Sequence, residues 1–398
     1  MNDVTTATQR PDAREADILI ERARSLIPAL RQRSAQANAE RRLPQETIDD
    51  FRRLELTRCL QPTMFGGFAS DYRVFSKMLR TLAQGCGSSA WVAAVHGEHN
   101  WVIGQFSEAA QRDVWGADPQ AVASASYPPS GAAEPIAGGH RVNGRWSFAS
   151  GCDHAQWLQL NGVVKDGGKP HERLFLVPIG AVEIVDDWHV MGLCGTGSKS
   201  IVVKDVVVPA THSVSLHDLK NGTAPGAAVH RDHPLYRTPR NLLASFSLSS
   251  VCVGLAERAV EEFTSITRER RSRGLRVADL EAVQLTVAEA AAQAETAAMI
   301  VEQTIDRNIR LVESGAPIAV EQVAWTRRNS SYATRLAHSA VKSIFEVAGG
   351  TALYAGNPLQ DIFRDATAAS AHLSLTWHRM APPYGQLRLG LPVEFDAL

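Results

Sequence analysis

The stretch GGHRVNGRWSFASGCDHAQW, residues 138–157, carries the strongest local fold signal in the chain. Asn143-Gly144 lies between two runs of strand-forming residues, and this pair favours the two-residue turn of a β-hairpin. Behind the turn, Trp146 and Phe148 lie among serines, so a flat apolar wall is expected beside hydrogen-bonding groups. Such a wall is typical of sites for flat aromatic ligands. The alternative, which the local residues support equally, is an ordinary hairpin with a half-buried tryptophan.

The length of the chain predicts two or three domains, because 398 residues exceed what one hydrophobic core usually supports. Apolar residues recur at helical spacing in residues 1–120, short strands separated by Gly, Pro and Asp follow in 121–232, and long helical patterns return in 233–398. The short strands predict a small barrel or sandwich. The last part predicts a four-helix bundle with helices over 242–270, 277–313, 319–347 and a segment after Arg364.

Charge and composition exclude several classes of partner. The 41 basic and 42 acidic residues leave a formal net charge of -1, so neither nucleic acid nor an anionic membrane is an expected partner. No secretory signal and no apolar run of roughly 18 to 20 residues are recognised, so a cytoplasmic protein is expected. The five cysteines lack metal-type spacing, so reduced thiols and no metal site are expected.

The amino-terminal part combines predicted helices with one polar cluster. A disordered tail is expected before a helix over about residues 15–40. The apolar segment 86–106 contains His96, Glu98 and His99. Polar side chains in a buried helix must find hydrogen-bond partners or line a cavity. This segment is therefore a candidate for one side of a binding site.

Three segments resemble the acyl-CoA dehydrogenase superfamily, in the same order along the chain. LPQETIDDFRRLELTRCLQPTMFGG at 43–67 resembles its second-helix region, and MGLCGTGSKSIVVKDVVVP at 191–209 resembles a strand pair that closes over the flavin. EVAGGTALYAGNPLQDIFRD at 346–365 resembles a late flavin-contacting turn. The resemblance implies an acyl-CoA dehydrogenase-like fold: an N-terminal α-helical domain, a central β-barrel or sandwich domain and a C-terminal four-helix bundle. It also implies a homotetramer with the flavin at subunit boundaries.

The catalytic carboxylate separates dehydrogenases from oxygenases in this superfamily. A dehydrogenase of acyl thioesters needs a base to remove a proton beside the carbonyl while the flavin accepts a hydride. In many members this base is a glutamate shortly after an Arg-Asp pair. Here Arg364-Asp365 is followed by Leu373 at the corresponding position, with no carboxylate nearby. This weakens the dehydrogenase interpretation, although some dehydrogenases take their base from another helix.

RDATAASAH at 364–372 instead resembles the oxygenase components of two-component flavin-dependent monooxygenases, including those that hydroxylate 4-hydroxyphenylacetate or a steroid-derived phenol. The resemblance extends to SAWVAAVHGEHNW at 89–101 and to Thr196-Gly197-Ser198. It implies that a separate NAD(P)H:flavin reductase supplies reduced flavin, FMNH2 or FADH2. It further implies that this flavin forms a hydroperoxide with molecular oxygen and hydroxylates a small phenolic or other aromatic substrate.

The residues in these segments suit that chemistry. A dry apolar wall protects such a flavin from water, and a neutral imidazole can accept the proton of a phenol. We expect His372 to be the base, His99 to orient the substrate, and Ser150 to donate to reactive flavin atoms. The predicted substrate contacts are His96, His99, Trp101 and His372. The predicted cofactor contacts are Trp146, Ser147, Phe148, Ser150, Thr196, Gly197, Ser198, Arg270, Gly349 and Gly350.

Arg270 is expected to bind the flavin phosphate, because the run around it resembles the superfamily's Arg-x-x-Phe-Gly segment and a guanidinium fork matches phosphate geometry. Arg273 replaces the phenylalanine of that segment, so FMN and FAD both stay open. No dinucleotide-binding GxGxxG motif follows a predicted strand, so direct use of NADH is not expected. Two hypotheses stand beside the oxygenase: an acyl-thioester dehydrogenase and a non-catalytic flavin-binding relative.

Overall fold

The amino-terminal part is helical in the computed structural model, which describes residues 13–394 and their side chains from Asp17 onwards. A disordered or fraying tail was predicted before about residue 15, and its residues 1–12 lie outside the described residues. Asp71 caps one of these helices by accepting a hydrogen bond from the Arg73 N–H over 2.7 Å. The helices are α1 (Ala13–Glu40), α2 (Gln45–Arg53), α3 (Tyr72–Ala83), α4 (Gly87–Ile103) and α5 (Glu108–Trp115).

The central part folds into one seven-stranded sheet. Its strands are β1 (Ala123–Ile136), β2 (Gly139–Ala149), β3 (Trp157–Val164), β4 (His171–Pro178), β5 (Glu183–Val185), β6 (Lys199–Pro209) and β7 (Ser213–Ser215). The spatial order is β5-β6-β2-β1-β3-β4-β7, and only the β1–β3 pair is parallel. Strands β4 and β6 approach within 8 Å although three strands separate them, so the sheet curls around a hydrophobic core of its own. This curled sheet is the observed form of the predicted barrel or sandwich.

The predicted hairpin is present, but its turn lies elsewhere. Strands β1 and β2 are joined at Ala137-Gly138, where Gly138 has a φ of +81°. Asn143-Gly144 lies inside β2, at a bulge in its pairing with β6. There the Asn143 side chain donates to Asp205 Oδ1 over 3.1 Å and accepts from the Asp205 N–H over 2.8 Å. The predicted Asn-Gly turn was therefore wrong, because these cross-strand hydrogen bonds outweigh the local turn preference.

The carboxy-terminal part is a bundle of long helices. The fourth bundle helix begins at Pro358, where Asn357 accepts a hydrogen bond from the Leu359 N–H over 3.0 Å. The predicted start after Arg364 was therefore wrong, since Arg364 lies inside this helix. The elements are α6 (Leu216–Asn221), α7 (Gly226–Val229), α8 (Arg240–Thr267), β8 (Arg271–Ser272), β9 (Leu275–Arg276), α9 (Glu281–Glu313), α10 (Val320–Ala348), α11 (Pro358–Ser370), α12 (Trp377–Met380) and α13 (Pro382–Arg388).

Helix α8 is long and apolar enough to cross a membrane by length and composition, which corrects the expectation that no run reaches that length. However, 89% of its apolar window is buried inside the protein. It packs against α3, α4, α9, α10 and α11, so it is the central helix of the bundle. A helix that is apolar on all sides is typical of such a core position.

The observed order of helices, sheet and helices agrees with the predicted three-part architecture. All strands of the large sheet lie between Ala123 and Ser215, inside the predicted range 121–232. Helix α8 begins at Arg240, inside the predicted range 233–398. The boundary positions themselves stay predictions. Helix α4 contacts β1 and α8, so the three parts meet around it.

Candidate active site

His99 lies on the buried helix α4 with 5% of its surface exposed. Its Nδ1 is 2.9 Å from the carbonyl oxygen of Ala123, the first residue of β1. A carbonyl oxygen only accepts hydrogen bonds, so Nδ1 carries the proton and Nε2 keeps a free lone pair. Burial lowers the pKa of His99 to about 3, so the ring is neutral near pH 7. His99 therefore presents a hydrogen-bond acceptor.

His372 follows the end of α11 and is half-buried, with its ring edge to face against Trp91 at 5.5 Å between centroids. Its Nδ1 accepts a hydrogen bond from the Ser374 N–H over 3.2 Å. In a neutral ring the proton must then lie on Nε2. Burial, with a smaller contribution from Arg240, lowers the pKa of His372 to about 4, so the ring is neutral near pH 7. His372 therefore presents a hydrogen-bond donor.

These opposite tautomers favour the reverse of the predicted roles. His372 was expected to be the base, but its free nitrogen already holds a proton. His99 was expected to orient the substrate, and it holds the free lone pair. Both histidines were predicted from the sequence, but their tautomers were not, because the deciding partners are backbone groups of other residues.

Arg240, the first residue of α8, lies close enough to both histidines that its charge helps to lower both pKa values. Its guanidinium carbon is 3.7 Å from the centre of the Tyr127 ring, and its Nη2 is 3.2 Å from Glu98 Oε1. Glu98 Oε2 also accepts a hydrogen bond from the Ser247 hydroxyl. Arg240 was not predicted from the sequence, because a single arginine at the start of a helix has no signature. Glu98 was recognisable as a polar residue in an apolar helix.

Tyr127 connects Arg240 to the backbone of the His99 helix. The Tyr127 hydroxyl donates to Gln159 Oε1 over 3.1 Å, and Gln159 Nε2 donates to the His99 carbonyl oxygen over 2.8 Å. These residues come from β1, β3, α4 and α8, so all three parts of the fold hold the site together. Tyr127 and Gln159 were not predicted from the sequence either, because neither belongs to a recognisable motif.

Three hydroxyl groups form a chain beyond the end of β2. Ser150 Oγ is 2.7 Å from Ser198 Oγ, which is 2.7 Å from Thr196 Oγ1. Thr196 in turn donates to the Leu193 carbonyl oxygen over 2.8 Å. Gly197 turns the chain between the last two hydroxyls with a φ of +53°, a conformation that favours glycine. The structure thus brings together four of the predicted cofactor contacts.

Asp365 on α11 fixes the loop that carries this hydroxyl chain. Its Oδ1 accepts a hydrogen bond from the Leu193 N–H over 2.6 Å. Burial raises the pKa of Asp365 to about 6. The loop lies so close to α11 that a Cβ atom on Gly192 would be 2.1 Å from the Arg364 carbonyl oxygen. The segment that ends at His372 therefore also positions the hydroxyl chain.

The two aromatic residues predicted to form a wall lie in different environments. Trp146 has no exposed surface, because it lies in the core of the sheet and its ring N–H donates to a carbonyl of β3 over 2.7 Å. Phe148 is 65% exposed and meets Trp188 edge to face, with 6.1 Å between centroids. A bulge near the end of β2 leaves Ser147 and Phe148 both exposed. Trp146 is therefore corrected to a core residue, and Phe148 with Trp188 forms the accessible wall.

Two predicted substrate contacts lie in the core instead. Trp101 has no exposed surface, and its ring N–H donates to the Leu235 carbonyl oxygen over 2.8 Å. His96 is 2% exposed, and its Nε2 lies 3.2 Å from the Gly151 carbonyl oxygen. This contact supports the turn that carries Ser150. Trp101 has no surface to offer a ligand, and the Nε2 of His96 is already occupied by the Gly151 carbonyl, which corrects both predictions.

Comparisons with known proteins identify the family. The family described as acyl-CoA dehydrogenase, C-terminal domain, matches residues 246–377. The flavin-dependent monooxygenase oxygenase subunit HsaA of Rhodococcus jostii (strain RHA1) is 35% identical over 378 residues, which cover 94% of this chain and 99% of the relative. This chain belongs to the family of flavin-dependent monooxygenase oxygenase subunits.

Two further comparisons, one with a hydroxylase and one with an oxygenase component, agree with this family. The crystal structure of 3-HSA hydroxylase from Rhodococcus sp. RHA1 superposes with a TM-score of 0.91 at 34% identity, covering 96% of this chain and 98% of that chain. The FADH(2)-dependent resorcinol hydroxylase, oxygenase component, of Rhizobium sp. (strain MTP-10005) is 32% identical over 403 residues, with 98% of each chain covered. The predicted acyl-CoA dehydrogenase-like fold and the predicted oxygenase component are therefore confirmed.

Arg270, Gly349 and Gly350 come together at one edge of the oxygenase subunit. Arg270 Nη1 donates to the Ala348 carbonyl oxygen over 2.8 Å. Gly349 follows α10 with a φ of +70°, and no atom lies within 4 Å of where a Cβ of Gly350 would be. The predicted phosphate contact of Arg270 stays a prediction.

The described residues of the oxygenase subunit fit a flavin. A flavin ring needs a flat apolar surface beside a few hydrogen-bonding groups. Phe148 provides an exposed aromatic surface, and the half-buried Trp188 meets it edge to face. Two residues along from Phe148, Ser150 Oγ bonds to Ser198 and keeps capacity for a second partner. These groups would hold the ring, with the hydroxyl chain at its polar edge.

Proposed function

We propose that this oxygenase subunit uses reduced flavin and molecular oxygen to hydroxylate a small phenolic substrate. A separate NAD(P)H:flavin reductase would supply the flavin as FMNH2 or FADH2. The observation that carries the proposal is the pair of neutral histidines beside Arg240, with an acceptor on His99 and a donor on His372. A phenol O–H can donate to the first, and the oxygen delivered to the ring can accept from the second. A relative named as a resorcinol hydroxylase supports a phenolic substrate.

The chain's own residues control the proton of the phenol. Bound reduced flavin would supply the two electrons that activate molecular oxygen, and molecular oxygen would provide the atom that enters the ring. His99 Nε2 accepts a hydrogen bond from the phenol O–H. Because the pKa of His99 is about 3 and that of a free phenol is about 10, the proton stays on the phenol until the ring loses electron density. His372 Nε2 holds its proton as a donor throughout, and the buried Trp91 beside it excludes water.

The hydroxyl chain supports a preference for reduced flavin. If Thr196 donates to the Leu193 carbonyl, Ser198 must donate to Thr196. Ser150 then donates to Ser198 and is left to accept from a ligand, which is the reverse of the donor role expected from the sequence. Reduced flavin has a ring N–H at a position where the oxidised ring has only an acceptor. An oxidised ring would reverse the chain and lose one hydrogen bond of about 1 kcal/mol, which corresponds to a roughly fivefold weaker affinity.

The test supplies photoreduced flavin to the purified chain with resorcinol in oxygenated buffer. We expect oxygen consumption and a product that has gained one atom from labelled oxygen gas, whereas NADH without a reductase should not be oxidised. Equilibrium dialysis should show reduced flavin binding roughly fivefold more tightly than oxidised flavin. Bleaching of bound oxidised flavin by an acyl-CoA, with no hydroxylation of any phenol, would instead support a dehydrogenase.

We also propose a homotetramer, which the exposed apolar side chains of the bundle support. Leu285 and Met299 on α9 are 64% and 56% exposed, and Tyr332 on α10 is 41% exposed. Such side chains on one pair of helices favour burial against another subunit. Light scattering at micromolar concentration is expected to give four times the mass of one chain. A monomer would contradict this proposal.

We propose a cytoplasmic location as well. None of the five cysteines forms a disulfide within the part of the chain that the structure describes, and four of them are buried. Reduced thiols suit a reducing compartment, where a flavin reductase using NAD(P)H also finds its substrate. Fractionation of the producing cells tests this location.

A further inference from the structure

Glu98 is a buried carboxylate beside His99, and the proposed mechanism does not use it. It is 5% exposed, its Oε1 lies 3.2 Å from Arg240 Nη2, and its Oε2 accepts a hydrogen bond from the Ser247 hydroxyl. Burial raises the pKa of Glu98, while Arg240 and Ser247 act in the opposite direction. A buried carboxylate is costly unless it is paired. Here the pairing with Arg240 supplies the compensating charge.

Arg240 is the cation of this pair and borders the site. Its side chain is 24% exposed, and one face covers the Tyr127 ring at 3.7 Å. Burial works against the charge, but Tyr127 and Glu98 raise the pKa of Arg240. The guanidinium is therefore charged, already paired with an anion, and open to a ligand over part of its surface.

The described groups around this part of the site carry no net charge. His99 and His372 are neutral because burial lowers their pKa values to about 3 and about 4. Tyr127 is neutral because burial raises its pKa to about 12. The charges of Arg240 and Glu98 cancel.

We propose that Glu98 is a positioning residue that sets the charge of the substrate: by neutralising Arg240, it makes the enzyme select an uncharged phenol over one that carries a carboxylate. This inference rests on the proposed function and concerns the same site. A carboxylate on the substrate would lie near an arginine that is already paired with Glu98. The substrate carboxylate would therefore lose its hydration without gaining a cation of its own. An uncharged phenol avoids that cost.

The test compares two ligands of similar shape, 4-methylphenol and 4-hydroxyphenylacetate, in the full-length chain with reduced flavin under anaerobic conditions. Equilibrium dialysis measures binding without turnover. The wild type is expected to prefer 4-methylphenol. Glu98→Gln keeps the size of the side chain and an oxygen for Arg240 but removes the negative charge. It should strengthen binding of 4-hydroxyphenylacetate at least about tenfold relative to 4-methylphenol.

Two further variants separate charge from structure. Ser247→Ala removes a hydrogen bond to Glu98 without changing the charge balance, so the affinity ratio should stay near that of the wild type. The double variant Glu98→Gln with Arg240→Gln replaces the ion pair by a neutral amide pair. It should return the ratio of the affinities for the two ligands towards the wild-type value. Because an amide pair leaves no charge unpaired, this variant can still be measured if the single variant folds poorly.

The outcomes distinguish this inference from the proposed function. If Glu98→Gln changes the affinity for both ligands by the same factor, Glu98 has only a structural role and the inference is wrong. If the double variant keeps the new ligand preference of the single variant, Glu98 does not act by neutralising Arg240, and the inference is wrong in that case too. If the wild type binds neither phenol and, in a separate assay with oxygenated buffer, yields no hydroxylated product from either, the proposed function itself fails.

Discussion

Replacing His99 by asparagine is expected to reduce hydroxylation of the phenolic substrate at least about a hundredfold, the usual contribution of a positioned base. The asparagine amide can take the place of Nδ1–H and donate to the Ala123 carbonyl, so the contact between α4 and β1 is kept. Only the free lone pair of Nε2 is lost. Oxygen consumption needs no phenol proton and should continue, with hydrogen peroxide released in place of product. Product and peroxide are measured per molecule of oxygen consumed.

His372→Asn is the matched control, because its side-chain oxygen can still accept from the Ser374 N–H while the Nε2 donor is lost. The two variants should differ in their dependence on pH. As the pH approaches about 10, the phenol ionises by itself, so the loss in His99→Asn should shrink. Any loss of hydroxylation in His372→Asn should not shrink with rising pH, because ionising the substrate does not replace a missing hydrogen-bond donor. Rescue of His372→Asn alone at high pH would restore His372 as the base.

Trp146→Ala is expected to destabilise the protein by about 3–5 kcal/mol, the cost of truncating a large buried aromatic side chain. Trp146 has no exposed surface, and its ring N–H donates to the Asn161 carbonyl over 2.7 Å. The ring also packs against Gly131, where a Cβ atom would lie 2.0 Å from it. Removal therefore leaves a cavity and an unpaired carbonyl in the core of the sheet. Urea denaturation followed by circular dichroism measures the effect.

Phe148→Ala is the comparison, because Phe148 lies two residues away and is 65% exposed. Its effect on the free energy of unfolding should be within about 0.5 kcal/mol, as for most exposed positions. Its dissociation constant for reduced flavin should instead rise, since an aromatic contact with the ring is lost. If Trp146→Ala were as stable as the wild type and lost flavin binding, the original assignment of Trp146 to the cofactor wall would be restored.

The sequence alone determined the order of the domains and the enzyme family. Helical periodicity before residue 120 and after residue 233, with short strands between, is local information, because apolar spacing follows directly from helix and strand geometry. The segments at 89–101 and 364–372 pointed to an oxygenase and located both histidines of the site. The hydroxyl chain was also predictable, since Ser150 and the segment Thr196-Gly197-Ser198 lie in recognisable motifs.

Only the tertiary structure decided the chemistry of each group, because that depends on partners far apart in the chain. Arg240 meets Glu98 across 142 residues, and His99 takes its tautomer from a carbonyl 24 residues away. Asn143-Gly144 became a bulge because Asp205 supplied cross-strand hydrogen bonds. Trp146 turned inward because the curled sheet has a core of its own, whereas local alternation does not distinguish the face that meets a ligand from the face that meets other strands.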